Sequence, residues 1–287
     1  MTDYFQPHSC KEALSALKQN PGCTIVAGGT DVLTDHYKKN EEFDRILDLG
    51  KVTELKKIKE EETEISIGAG VTFRMLESDD IVEKYLPLLS HAASVVGSPQ
   101  IRSKGTIGGN LCNANPAADT VPALIALRAV LVLSSESQER RVPAEAFITG
   151  RGQTILENDE LLTRIIVKKP SDHVICRFEK VGRRNALAIA RISIALNMET
   201  DGSVMKALHL AIGAVSSKPF DFQCICGRAE GCSLKAFDPE AIVGPVTEEV
   251  KKSTEGRNSA EYKVPVLRDL LRRMLQSVIC EAEKEES

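Results

Sequence analysis

The chain has 287 residues, of which 42% are hydrophobic and 27% charged, with a formal net charge of −4. That length supports one large core or two ordinary ones, and the acidic balance gives no support for nucleic-acid or membrane-surface binding. Aromatic residues make up 4% and tryptophan is absent, which counts against stacking platforms for single strands. No stretch reaches the apolar length of a membrane span, and Met1–Cys10 lacks the basic and apolar regions of a secretory leader, so a cytoplasmic location is the expectation.

Taken in order, Ser9–Lys18 reads as a helix with Ala13, Leu14 and Leu17 on one face. A strand-length run, Thr24–Ala27, ends at Gly28-Gly29, and a second helix is expected to start near Thr30 or Asp31. Arg45–Leu49 is a short strand, Glu60–Glu64 a solvated turn, and Ile65–Ala69 an alternating strand. Thr72 caps a short helix, Glu83–Val96 has a helical apolar pattern, and Gln100–Pro116, rich in glycine and asparagine, is expected to be irregular. A helix over Asp119–Arg128 and a strand over Val130–Leu133 follow. Lys168–Asp172 reads as a connection between domains. Ile192–Met198 and Val204–Val215 flank Asp201-Gly202, a strong hairpin signal. Helices within Pro239–Lys252 and over Val264–Cys280 close the chain. This order suggests mixed α+β domains rather than a regular βαβ alternation.

Eight cysteines are present without a CxxC pair; Cys224, Cys226 and Cys232 cluster, but without a nearby fourth ligand they read as incidental thiols rather than an iron–sulfur or metal site. The histidines are scattered, no acid–base pair stands out, and no catalytic or metal-ligating residue is assigned. Neither a G-x-G-x-x-G after a strand nor a P-loop motif occurs.

What does stand out is a pair of glycine loops. The first runs Ile25-Val26-Ala27-Gly28-Gly29-Thr30-Asp31, a strand, two glycines and a helix start. Backbone without Cβ can approach an anion closely, and successive N–H groups at a helix start point towards it. The second, Gly105-Thr106-Ile107-Gly108-Gly109-Asn110, has the same composition. A lone Gly-Gly is most often a tight turn. Two such loops, each flanked by small donors, keep a phosphate cradle and an ordinary turn both open.

Three blocks carry a family resemblance: Val26–Leu33; Gln100-Ile101-Arg102 through Thr106–Asn113 to Asp119; and Lys180–Ile189. In order and spacing the sequence resembles the FAD-binding medium subunit of molybdenum hydroxylases, within the wider vanillyl-alcohol oxidase/PCMH flavoprotein fold. The segments Ile148–Gln153 and Asp159–Leu162 are nearest to separately encoded xanthine dehydrogenase subunits. The resemblance implies an α+β chain. A PCMH-type FAD domain would occupy 1–170, with subdomains of about 1–55 and 56–170. A C-terminal α+β domain of the CO dehydrogenase flavoprotein type would occupy 174–281. It implies non-covalent FAD, with Ile25, Val26, Ala27, Gly28, Gly29, Thr30, Asp31 and Val32 on one side of the pyrophosphate. Thr106, Ile107, Gly108, Gly109 and Asn110 would lie on the other, and Asp119, Leu162 and Lys180 at further points of the cofactor.

The implied role is electron relay. A large subunit with the molybdenum cofactor would oxidise the substrate, a small 2Fe-2S subunit would pass electrons to this FAD, and NAD would take them onward in a heterotrimeric, cytoplasmic enzyme of purine metabolism. A nicotinate, other purine or CO dehydrogenase subunit, or a self-sufficient flavin oxidoreductase of the same fold, is the alternative. No partner in nucleic acid or membrane is expected.

Overall fold

The computed structural model describes residues 3–40, 42–170, 173–184 and 187–285. The expected domain connection Lys168–Asp172 therefore has Ser171 and Asp172 outside the described residues, as does Asn185-Ala186 of the third block. The chain divides into two compact units, 1–115 with 128–169, and 116–127 with 170–287.

The first unit holds two sheets. Strands β1 (Asp3–Phe5), β2 (Thr24–Val26) and β3 (Arg45–Asp48) form a parallel sheet in the order β1-β3-β2. Helix α1 (Cys10–Gln19) is capped by Ser9, whose side chain accepts from the Glu12 N–H, and it buries Ala13 and Leu17 against Leu47 and Leu49. Asp31 stands at the start of α2 (Val32–Lys39). The second sheet is antiparallel, with β4 (Ile58–Glu60), β5 (Glu64–Gly68), β6 (Val130–Ser134) and β7 (Glu139–Pro143). The hairpin of β8 (Ile148–Gly150) and β9 (Gln153–Thr154) precedes its central strand β10 (Leu161–Lys168), and the order is β4-β5-β10-β6-β7. Five of the eight residues of β10 are buried apolar ones. With both faces covered it lacks the polar–apolar alternation of a half-exposed strand.

Between the sheets in sequence run α3 (Phe73–Ser78), α4 (Asp80–Tyr85), α5 (Pro87–Ser94), α6 (Pro99–Arg102) and α7 (Ile107–Asn113). The expected helix over 83–96 is two helices. Pro87 lacks the N–H to continue α4 and instead opens α5 at its first position. Gln100–Pro116 is more regular than expected. Ser98 and Thr106 each accept a backbone N–H three residues on, which starts a short helix despite the glycines that follow Thr106.

The second unit contains α8 (Thr120–Ala126), which precedes α9 (Ala144–Phe147) of the first unit in the chain. Its antiparallel sheet has the order β11 (Val174–Val181), β12 (Ile192–Asp201), β13 (Val204–Gly213) and β14 (Phe220–Asp221). The Asp201-Gly202 hairpin joins β12 to β13, with Gly202 at φ 56°. Helices α10 (Gln223–Cys226), α11 (Glu240–Thr254) and α12 (Ala260–Glu285) complete the unit. The apolar stripe Leu267, Leu271, Leu275 and Val278 of α12 packs into one core with Ile194, Leu196 and Leu210 of the sheet. The result is the α+β architecture that the resemblance implies. Among the described residues, no helix is long and apolar enough to cross a membrane.

Candidate functional site: a glycine-walled cleft in the first unit

The loop after β2 and the loop before α7, 80 residues apart in sequence, meet in the first unit. Their contact depends on Gly28. A Cβ there would lie 2.1 Å from the carbonyl oxygen of Lys104, so only glycine lets the two backbones come this close. The next residue, Gly29, has φ 72°, the left-handed region that residues with a Cβ enter at a cost.

Together the loops wall a cleft of about 640 Å³, within the size range of cofactor sites. It is lined by Ile25, Ala27, Gly28, Gly29, Thr30, Asp31 and Val32 from the first loop, Thr106, Gly108, Gly109 and Asn110 from the second, and Leu162 from β10. Two of the expected loop residues do not line it. Ile107 is fully buried, with its N–H on the Val71 carbonyl, and Val26 belongs to β2.

The loops differ in what they offer. In the second, the N–H groups are taken internally: Gly105 donates to Ile101, Ile107 to Val71, Gly108 to Ala69 and Asn110 to Thr106, while Gly109 donates to the Thr106 hydroxyl at 3.1 Å. In the first, none of the N–H groups of Gly28, Gly29, Thr30 and Asp31 has an acceptor among the described residues. Four consecutive donors beside a helix start, facing a cleft, are chemistry that suits a phosphate. The second loop supplies shape, held there by the Thr106 cap.

Asp31 is an acid on this wall. Burial raises its pKa, Asp35 pushes the same way, and the Asn113 side-chain amide donates to its Oδ2 at 2.7 Å. The Asn113 amide thus occupies one oxygen of the carboxyl on the cleft wall. Leu162 shares this wall with an ion pair that sequence reading missed. Glu160, 3% exposed and on the cleft wall, accepts two hydrogen bonds from Arg140 at 2.6 and 2.8 Å and one from the Glu157 N–H. The Arg140 hydrogen bond holds its carboxyl below the usual range. Twenty residues separate the pair, and β6, paired with β7 on one side and β10 on the other, brings them together, so no local motif announces them.

Asp119 and Lys180 belong to the second unit. There Lys180 Nζ donates to Asp119 Oδ2 at 2.6 Å, the two side chains being 11% and 7% exposed. Burial pushes the Asp119 carboxyl up to about 6 while Lys180 pulls it down. Its second oxygen, Oδ1, is buried without a hydrogen-bond partner among the described residues, an acceptor left for a donor from outside the chain. The residues of the cleft therefore fit FAD: donors for a pyrophosphate along the first loop and an apolar wall at Leu162.

Of the cysteine trio, Cys226 is buried, Cys232 half-buried and Cys224 exposed. Among the described residues, no group of three or more potential ligands is placed to hold a metal.

Comparison with known proteins agrees with this reading. Residues 1–170 match the family described as FAD binding domain in molybdopterin dehydrogenase, and residues 177–278 the CO dehydrogenase flavoprotein C-terminal domain. The chain is 31% identical over 281 residues to the xanthine dehydrogenase FAD-binding subunit of Escherichia coli O157:H7, covering 97% of this chain and 96% of the relative. It is 31% identical over 287 residues to the nicotinate dehydrogenase FAD-subunit of Eubacterium barkeri, covering 98% and 97%. Its fold superposes on a chain of carbon monoxide dehydrogenase from Hydrogenophaga pseudoflava with a TM-score of 0.85 at 27% identity, covering 95% of each chain. The chain belongs to the FAD-binding medium subunits of molybdenum hydroxylases, an oxidoreductase family.

Proposed function

We propose that this chain is the electron-relay subunit of a xanthine dehydrogenase-type hydroxylase, taking electrons from a small 2Fe-2S subunit and passing them to NAD. The large subunit with the molybdenum cofactor is its other partner, and the cytoplasm its compartment. The observation that carries the FAD part is the row of unpaired N–H groups from Gly28 to Asp31 in the cleft. Xanthine is favoured by the similarity of 148–153 and 159–162 to separately encoded xanthine dehydrogenase subunits, and by the E. coli relative.

FAD, when bound, accepts electrons singly and releases them in pairs. The chain's part is to bind and orient. Gly28–Asp31 would donate to one side of the pyrophosphate, Gly108 and Gly109 would leave room on the other, Leu162 would give an apolar wall, and Asp119 and Lys180 would serve the cofactor at further points. We assign 1–170 to the FAD domain and 174–281 to the C-terminal domain.

The test is reconstitution of the purified chain with its large and small partner subunits. Xanthine-dependent reduction of NAD that needs all three chains is the expected result. Nicotinate-dependent turnover in place of xanthine would move the substrate assignment, and turnover by this chain alone would overturn the relay.

A further inference from the structure

We propose that the second unit carries an anion site for a phosphate-bearing ligand, built by Arg191, Arg257 and Lys263 around the turn at Ala214-Val215. The site is built wholly from residues of the second unit, and the proposal does not rest on the function given above. Strand β13 ends at Gly213, and Ala214 then takes φ 64°, a left-handed conformation unusual for a residue with a Cβ. Its N–H donates to the Pro116 carbonyl at 2.8 Å.

Two cations bond to this turn, and a third stands over the ring next to one of them. Lys263 Nζ donates to the Ala214 carbonyl at 2.7 Å, and Arg257 to the next carbonyl, Val215, at 3.4 Å. The Arg191 guanidinium lies 5.2 Å from the ring centre of Tyr262, the residue beside Lys263. Among the described residues, no carboxylate pairs with any of the three, although Glu255 and Glu261 are close in sequence. Burial pushes the Lys263 ammonium below its usual range, and Arg257 and Arg191 push the same way. Like charges gathered without a counter-ion repel one another, and main-chain carbonyls offset this weakly. A bound phosphate would neutralise them with charge-assisted hydrogen bonds. The turn continues as Ser216-Ser217-Lys218, further donors of the same kind, and Tyr262 is 41% exposed, leaving a ring surface beside the cations.

The rival explanation is that the cations only satisfy carbonyls at the end of β13. The two are separated by loading the full chain with FAD, removing the unbound flavin, and titrating it against inorganic pyrophosphate and, separately, against ADP by calorimetry. Saturable binding is expected, weakened about tenfold or more by Arg257→Gln and by Lys263→Met, and largely kept by Arg257→Lys. Tighter binding of ADP than of pyrophosphate would identify a nucleotide ligand, and equal binding a phosphate group alone. Thermal melting checks that each variant is folded; Arg257 is exposed, so its replacement should leave the fold intact. No saturable binding of either ligand, or binding unchanged in both Arg257→Gln and Lys263→Met, would overturn the proposal.

Discussion

The first unit makes its site from backbone, the second from side chains. At the cleft, the working groups are N–H donors made accessible by Gly28 and Gly29, and the limiting factor is space, since a single Cβ at Gly28 would strike the Lys104 carbonyl. In the second unit, a lysine and a carboxylate 61 residues apart are buried as a pair with one oxygen left over. The difference matters for how each site fails. A backbone site fails by steric exclusion. A buried ion pair fails by losing a partner and responds to protons.

The largest effect is expected from Gly28→Val. It should force the two loops apart, cost upwards of about 3 kcal/mol by overpacking, and abolish flavin retention, as read by thermal melting and by flavin content. Retention of both stability and flavin would show that the loop contact is not limiting. Next is Lys180→Met, which leaves Asp119 buried without its cation and should cost about 3 kcal/mol in chemical denaturation. A loss below about 0.5 kcal/mol would place the pair with exposed ones.

The pH response follows from Asp119, whose carboxyl rises from an ordinary 3.8 to about 6 in the folded chain. Between those values the folded state holds the proton more firmly than the unfolded state, so this residue's contribution to stability is lost as pH rises through the window. The melting temperature of the wild type relative to Asp119→Asn should therefore fall from pH 4 to pH 7. A flat difference would mean that Lys180 fully offsets burial. The smallest effect on folding is expected from Gly109→Ala, because the added Cβ meets only the Thr106 hydroxyl, at 2.9 Å. Stability should hold while FAD affinity drops about tenfold, roughly 1.4 kcal/mol, measured by flavin fluorescence titration. Unchanged affinity would take Gly109 out of the site.

Legibility in the sequence follows the same division. Gly28-Gly29 and Gly108-Gly109 are visible because paired glycines beside small donors are themselves a signal, and the cap at Thr72 is visible for the same local reason. The Asp201-Gly202 hairpin was equally plain. What composition could not tell is that the two loops play different parts. Whether an N–H is already used depends on which carbonyl the fold places opposite, as Val71 and Ala69 stand opposite Ile107 and Gly108. The break at Pro87 was readable but was overridden by a continuous apolar pattern across it. Strand β10 lacks alternation because both of its faces are covered, and the Arg140–Glu160 pair depends on the register of β7 and β10 against β6, which has no local signature. Asp119 and Lys180 came from family resemblance. Nothing local to either residue pairs them.

The central claim is that the glycine-walled cleft is where this chain holds FAD. The most direct measurement is the flavin content of the purified full chain after reconstitution with FAD, with Gly28→Val and Gly109→Val alongside and circular dichroism as the check on folding. The account predicts one FAD per wild-type chain and none retained by a folded Gly109→Val variant. A wild-type chain that takes up no flavin, or a folded Gly109→Val variant that keeps its full complement, would contradict it.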